Sequence, residues 1–559
     1  MLIADEYTLE QQITLLNQHY SALNDLLTDL NAQIKRCTDS QQGKDLQEQI
    51  DNLQAELTDI ERELAKLKAG DAEATLGTLY NIPSLPSYLV EHTQLLNELK
   101  AKLVMKPSIA EVSDGQKNPI LLRGASGIGK SLVSAVLAHD LVIRRKFVDG
   151  IFWIHVGQAS DPVAQQMRVY QYLAKNTSNP TAAEFLELEE GVERLKELCS
   201  KRACLFILDD VWDVRDVLAF SRLGKECQLI MSTCENNVIE FIKHFLAGIQ
   251  EYTVPYLNMA QATSFFSHYL ETSSFNSTQH ELLNYCNYVP QTLKLAAHAV
   301  RSLPANTPVQ KHLQQAEIFF PEVSYEYSNT LLQALHVNSE ALGEQSEYYF
   351  TLAVFADYTA IPYAPLLMLW RYLYQLQDEE SHQFIKQLVA KSLVQITGDS
   401  TSKSRYLSLQ TIQHDYLCEC ADVEKLHSHL LAAYRRLCPH GWATGVQDGY
   451  FFDYLAIHLL SAQRQRELKS LLLDFDWIQA KLQYCTLHSL LNDYSLLEDD
   501  ADVVVVQKAL RQNASVLLQD KQQLATQLLN CLWVAKSSPE LHTLLNQAKE
   551  LAPDWLPPQ

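Results

Sequence analysis

Residues Ile120–Ser131 read ILLRGASGIGKS, a short apolar run followed by three glycines, a lysine and a serine. Gly124, Gly129, Lys130 and Ser131 fill the spacing G-x-x-x-x-G-K-[ST], the phosphate-loop pattern. Glycine is needed because backbone N–H groups must converge on phosphate oxygens in a turn too tight for a Cβ. A helix predicted to start near Lys130 aims its positive end at the same point. Lys130 supplies an ammonium to the β- and γ-phosphates, and the Ser131 hydroxyl ligates Mg²⁺. Because the pattern follows a predicted strand and opens a predicted helix, it reads as a nucleotide site and not as a bare glycine turn.

Working outward, GIFWIHV (150–156), CLFILDD (204–210), QLIMST (228–233) and YTV (252–254) are further apolar runs with helical patterns between them. Such alternation predicts a parallel sheet covered on both faces. The second of these runs delivers Asp209 and Asp210 at its carboxyl end, the edge where ligands sit in this sheet type. Asp209 is placed to hold Mg²⁺ and Asp210 to orient or deprotonate an attacking water.

Upstream, Leu9, Ile13, Leu16, Tyr20, Leu23, Leu27, Leu30 and Ile34 step by threes and fours, and Leu46, Ile50, Leu53, Leu57, Ile60, Leu64 and Leu67 repeat the step. That spacing keeps one apolar seam toward a partner helix. The polar stretch SQQGKD (40–45) breaks the phase. A coiled-coil helical hairpin follows as the expectation for residues 1–70, with pairing to a second chain as the alternative. Residues 1–70 carry 13 Asp/Glu against 6 Lys/Arg, and the whole chain has a net charge of -22. No basic surplus is present to displace counterions from nucleic acid or to hold an anionic membrane. No apolar run is long enough for a membrane span, and MLIADEYTLEQQ lacks the basic start and apolar core of a secretory signal. Eleven scattered cysteines fit a reducing cytoplasm. His414, Cys418 and Cys420 fall on one predicted helix, but three ligands without a fourth read as core and not as a zinc site.

Downstream, AGDAEATLGTLYNIPSLPSYLV (69–90) reads as linker, and after Pro255 the pattern becomes helical. A strand-like patch at 392–397 and 404–410 within helices has the look of a winged helix. The expected architecture is multidomain: hairpin 1–70, lead-in 71–106, an α/β P-loop nucleotide-binding domain 107–255, an all-α helical domain 256–318, a winged-helix domain 319–421 and a second helical domain 422–559.

The ordered series FVDGIFWIHVG, LFILDDVWD, QLIMST and YTVPYLNMAQATSFF resembles the NB-ARC family of signal-transduction NTPases with numerous domains (STAND), its apoptosome-building members above all. CNYVPQTLKLAAHAV (286–300), EYYFTLAVFADYTAIPYAPLLMLW (347–370) and FDYLAIHLLSAQRQRELKSLLLDFDWIQAKL (452–482) extend the resemblance. It implies bound ADP at rest, exchange for ATP with Mg²⁺, opening, and self-assembly. It implies that Gly124, Gly127, Ile128, Gly129, Lys130, Ser131 and Leu132 surround the phosphates. It also implies that Val90 lies on the adenine and Pro290 near adenine and sugar. Three departures stand out. Cys234 replaces the arginine that senses the γ-phosphate, Gln410 stands where a winged-helix histidine reaches ADP, and His92 replaces a basic residue. Lys294 falls on a phosphate-contacting position and is a candidate to restore charge. Loss of an arginine from a desolvated phosphate costs a few kcal/mol of transition-state stabilisation, so slow hydrolysis is expected at most. No β-propeller or leucine-rich repeat is expected in these residues. Two readings stay open: a nucleotide-dependent switch acting through its coiled coil on a protein partner, or a scaffold with a permanently bound nucleotide. Either suits a bacterial regulator or an effector delivered to a host cytosol.

Overall fold

A computed structural model of the chain describes residues 76–105, 112–113, 116–157, 160–174, 184–246, 248–271, 277–302, 329–355, 361–397, 406–533 and 538–556, with scattered positions between 20 and 57. Contacts divide it into two compact units.

The first unit holds Met1–Gly124, Ile128–Val156 and Leu195–Pro255. Its strands are β1 (Leu79–Tyr80), β2 (Val112–Ser113), β3 (Gln116–Lys117), β4 (Ile120–Arg123), β5 (Gly150–Gly157), β6 (Cys204–Val211), β7 (Gln228–Thr233) and β8 (Gln250–Thr253). Six of them form one sheet in the order β1-β5-β6-β7-β4-β8, and β2 pairs only with β3. The pairs β1–β5, β6–β7, β4–β7 and β4–β8 are parallel. Leu121, Leu122, Leu205 through Leu208, Ile230 and Met231 are fully buried. Apolar side chains on both faces explain why these strands read as unbroken runs.

The stretch read as linker differs from expectation, because it supplies the edge strand β1. Leu79 and Tyr80 pair with Ile151 and Phe152, and the Tyr80 ring stacks on Phe152 at 4.6 Å. Two residues between turn formers carry no periodic signal, so the pairing is set by β5 and not by local propensity.

Most of residues 1–70 lies outside the described residues, and with it most of the predicted hairpin. At the described positions, Leu23, Leu30, Ile50 and Leu57 form one buried apolar cluster with Tyr20, Leu27, Ile34 and Leu46 packed against it. Members of both heptad series therefore meet within this chain. Met105 and Val142 close the cluster.

The second unit holds Ala125–Gly127, Gly157–Arg194 and Tyr256–Gln559. Among the described residues its strands beyond Val156 are β9 (Ile361–Pro362), β10 (Gln395–Thr397) and β11 (Tyr406–Ser408), an antiparallel sheet in the order β10-β11-β9. Asn258 starts the 259–270 helix with a reciprocal capping box to Gln261, satisfying two otherwise orphaned N–H groups. Three polar groupings mark this unit. Lys481 pairs with Asp493 at 0% and 4% side-chain exposure. Asp161 lies 2.7 Å from His488 Nε2 and accepts from Asn492 Nδ2 at 2.8 Å. His427 and His458 meet through their Nδ1 atoms at 2.7 Å, and His458 Nε2 lies 3.0 Å from the Tyr450 hydroxyl.

Candidate nucleotide-binding site

β4 runs into the glycine loop, and the helix Lys130–His139 leaves it with Gly129 at the N-cap position. Gly124, Gly127 and Gly129 have φ of 151°, 75° and 109°, a region that side chains with a Cβ rarely enter. Ile128 is 1% exposed, so it anchors the loop while its neighbours stay accessible. Leu132 is half-buried, and Ser131 is exposed at the start of the helix. Lys130 is buried, with its ammonium donating to Gly124 O at 2.9 Å.

Asp209 gathers the rest. Its Oδ1 accepts from Ser131 Oγ and from Ser232 Oγ, each at 2.7 Å. Burial would raise its pKa, but His155 and the Ser232 and Ser131 hydroxyls hold it below the usual carboxylate value. Asp210 occupies the left-handed region with φ 62°, and its N–H donates to Ser232 Oγ at 3.0 Å. Ser232 thus fixes both carboxylate residues at the carboxyl edge of the sheet. Ser131 and Asp209 are in hydrogen-bond contact, and Asp210 is tied in through its backbone N–H; Ser232 and His155 were not singled out from sequence.

His155, near the end of β5, places Nδ1 3.9 Å from Asp209 Oδ2. Burial depresses its basicity, and its pairing with Asp209, with the charge of Asp210 beside it, more than offsets this, so its pKa is raised. Just after β7, the Cys234 thiol approaches Glu235 Oε1 at 3.5 Å. Burial pushes it up to about 12, so it is neutral near pH 7. Among the described residues no three His, Cys, Asp or Glu side chains group as a metal site. His414 and Cys418 do lie close, 3.6 Å apart on one helix. A cation at Asp209 therefore needs phosphate oxygens to complete its shell, and the hard oxygens of Ser131 and Asp209 suit Mg²⁺.

Val90 is half-buried three residues before the helix Thr93–Val104. His92 precedes that helix, its imidazole lowered by burial. Within the second unit, Pro290 opens the helix Pro290–Ser302. Gly127 O accepts from Gln291 N at 3.3 Å, and Gln291 Nε2 donates to Gln410 Oε1. Gln410 in turn caps the helix Thr411–Cys420 reciprocally with Gln413. Lys294 holds its ammonium 5.0 Å from the Tyr269 ring centre, and burial lowers its pKa.

Comparison with known sequences bears on this geometry. The profile of the NB-ARC domain matches residues 93–271. Residues 93–271 are thus similar to an NB-ARC domain. The profile of the APAF-1 helical domain matches residues 423–554. Apoptotic protease-activating factor 1 of Homo sapiens is 26% identical over 420 residues, 72% of this chain and 32% of that protein. A probable disease resistance protein of Arabidopsis thaliana is 23% identical over 385 residues, 65% of this chain and 43% of its own. The chain thus spans about a third of the apoptotic factor's length. Among solved structures, a signal transduction ATPase with numerous domains (STAND) protein with a tetratricopeptide repeat sensor, from Pyrococcus horikoshii, shares the fold. Its TM-score is 0.51 at 12% identity, covering 85% of this chain and 66% of that one. Among the described residues no helix is long and apolar enough to cross a membrane.

Proposed function

We propose that this chain is an adenine-nucleotide switch in which bound ADP or ATP sets the arrangement of the helical segments. The observation that carries the reading is the joint made by Gly127 O, Gln291 and Gln410. It ties the tip of the phosphate loop to the starts of two later helices, so a change in the loop reaches both. Residues 319–421 act as the winged-helix element, and 422–559 as the second helical domain. Val90, Pro290 and Lys294 complete the nucleotide's surroundings in this reading, by resemblance to the family. Residues 1–70 act as a coiled-coil hairpin that engages a protein partner or supports self-assembly in a reducing cytoplasm.

In the site, loop amides and Lys130 hold the β-phosphate, and Ser131 and Asp209 hold Mg²⁺. The cation would neutralise charge on phosphate oxygens. Asp210, fixed in its left-handed conformation, is aimed to take a proton from water. With a neutral thiol at Cys234, no cation from β7 stabilises the leaving phosphate. The chain therefore holds nucleotide far longer than it hydrolyses it. That same thiol favours a second reading, a scaffold with permanently bound nucleotide.

The test is the nucleotide released on denaturing purified protein, with Lys130→Ala alongside. The switch predicts stoichiometric ADP or ATP in wild type, loss in the variant, and a lower Tm. A ligand at 100 times its Kd contributes about 2.7 kcal/mol. Equal nucleotide content in the two proteins refutes nucleotide binding at the loop. A sedimentation shift on adding ATP with Mg²⁺ selects the switch, and none selects the scaffold.

A further inference from the structure

Residues Gly157–Arg194 follow β5 in the chain, yet they group with Tyr256–Gln559 and not with the sheet. Two of their carboxylates are taken up by a single later helix, Leu487–Tyr494. Asp161 caps its own helix, Pro162–Ala174, by accepting from Ala164 N at 3.0 Å. The same carboxylate has its oxygens 2.9 and 2.7 Å from His488 Nε2, and Oδ2 accepts from Asn492 Nδ2 at 2.8 Å. His488 and Asn492 stand four apart, so one helix face meets one carboxylate. Glu184 takes the start of that helix. Its Oε2 accepts from Leu487 N at 3.0 Å, one of the N–H groups that a helix cannot satisfy internally, where negative charge is also favoured. Its Oε1 lies 3.2 Å from Lys521 Nζ, which donates to Cys485 O at 3.2 Å. Phe185, fully buried with its ring 6.1 Å from that of Tyr170, fixes the backbone beside Glu184. Arg511 adds a looser pair with Glu187 at 3.5 Å. In all these contacts the acid comes from 161–187 and its partner from 485–521.

We propose that this contact between acids of 161–187 and donors of 485–521 is a latch: it holds the chain in its nucleotide-retaining arrangement and parts when the helical segments move. The proposal rests on the nucleotide-switch reading above. The side chains of Asp161 and Glu184 are 34% and 20% exposed, shielded enough for their hydrogen bonds to count more than those of open surface pairs. Once separated, every group in the set regains water, so the latch is made of contacts that can be undone without unfolding a core. It acts on populations: weakening it favours the open arrangement by the free energy of the contact and no more.

The experiment uses the full chain carrying His488→Leu with Lys521→Met, which removes two donors of the latch and no residue of the nucleotide site. Release of a fluorescent ADP analogue is followed by stopped flow, hydrogen exchange at the start of the helix Leu487–Tyr494 by mass spectrometry, and compactness by sedimentation. Expected are release at least about tenfold faster than in wild type, faster exchange at that helix start, and a lower sedimentation coefficient. The conservative pair His488→Gln with Lys521→Arg keeps the donors and should release at the wild-type rate. Faster exchange without faster release overturns the proposal, because the contact is then broken without consequence. Release raised equally in the conservative pair also overturns it, since the donors would not be what matters. A wild type that binds no ADP analogue refutes the nucleotide reading instead. In that case a lower sedimentation coefficient in the variant still supports the latch, and an unchanged one overturns it. If the double variant fails to fold, Lys521→Met against Lys521→Arg decides by the same contrast.

Discussion

Acid should loosen the second unit through one pair of side chains. His427 and His458 touch through Nδ1 in a buried site. Burial lowers His427 from 6.5 to about 4, and burial together with His427 holds His458 well below its ordinary value. Both are neutral when folded, and both charge readily when unfolded. The unfolded chain therefore binds more protons below pH 6.5, so stability is unaffected above that pH and declines as pH falls toward 4. At 1.36 kcal/mol per unit, His427 alone removes about 2 kcal/mol at pH 5 and about 3 kcal/mol by pH 4. The perturbation is His427→Gln, which keeps a hydrogen-bonding partner for His458 without titrating. Urea melts followed by tryptophan fluorescence provide the assay, because Trp442 and Trp477 pack on Phe451, in the same helix as His458. Asp493, pushed up to about 6 by burial, titrates in both proteins and cancels in the difference. Between pH 6.5 and 5 the wild type should lose about 2 kcal/mol more than the variant. Parallel pH profiles would show that the pair does not control acid stability.

Two further changes probe the nucleotide site. Gly127→Val places a Cβ 2.9 Å from Gln291 Cβ at a φ of 75°, and the left-handed backbone alone costs about 1–2 kcal/mol. Nucleotide content after purification should drop several-fold while the far-UV circular dichroism is unchanged; full retention would refute the tight-loop argument. Cys234→Arg restores a cation at the end of β7 and should raise single-turnover ATP hydrolysis at least about tenfold, with no gain if the missing charge is not what limits the rate.

The parts legible from sequence are those fixed by short-range patterning. The phosphate loop spans eight residues, and β4, β6 and β7 are unbroken apolar runs whose burial on both faces leaves no polar alternation to misread. Asp209 and Asp210 were readable because they end such a run. The residues that complete the site were not. Ser232 looks like any strand hydroxyl, and its partner Asp209 lies 23 positions away. His155 resembles a satisfied core histidine; the usable signal was its place near the carboxyl end of an apolar strand, at the ligand-bearing edge of a parallel sheet. β1 and β9 are two residues each, too short for any periodicity. They exist because a neighbouring strand offers hydrogen bonds.

The joint between Gly127, Gln291 and Gln410 is built wholly from amides. None of its groups gains or loses a proton between pH 5 and 9, and none carries a net charge for salt to shield. A histidine at position 410 would change charge near neutrality and make the same joint answer to acidity. With glutamine there, mild acidification and moderate ionic strength leave the charge of the joint unchanged.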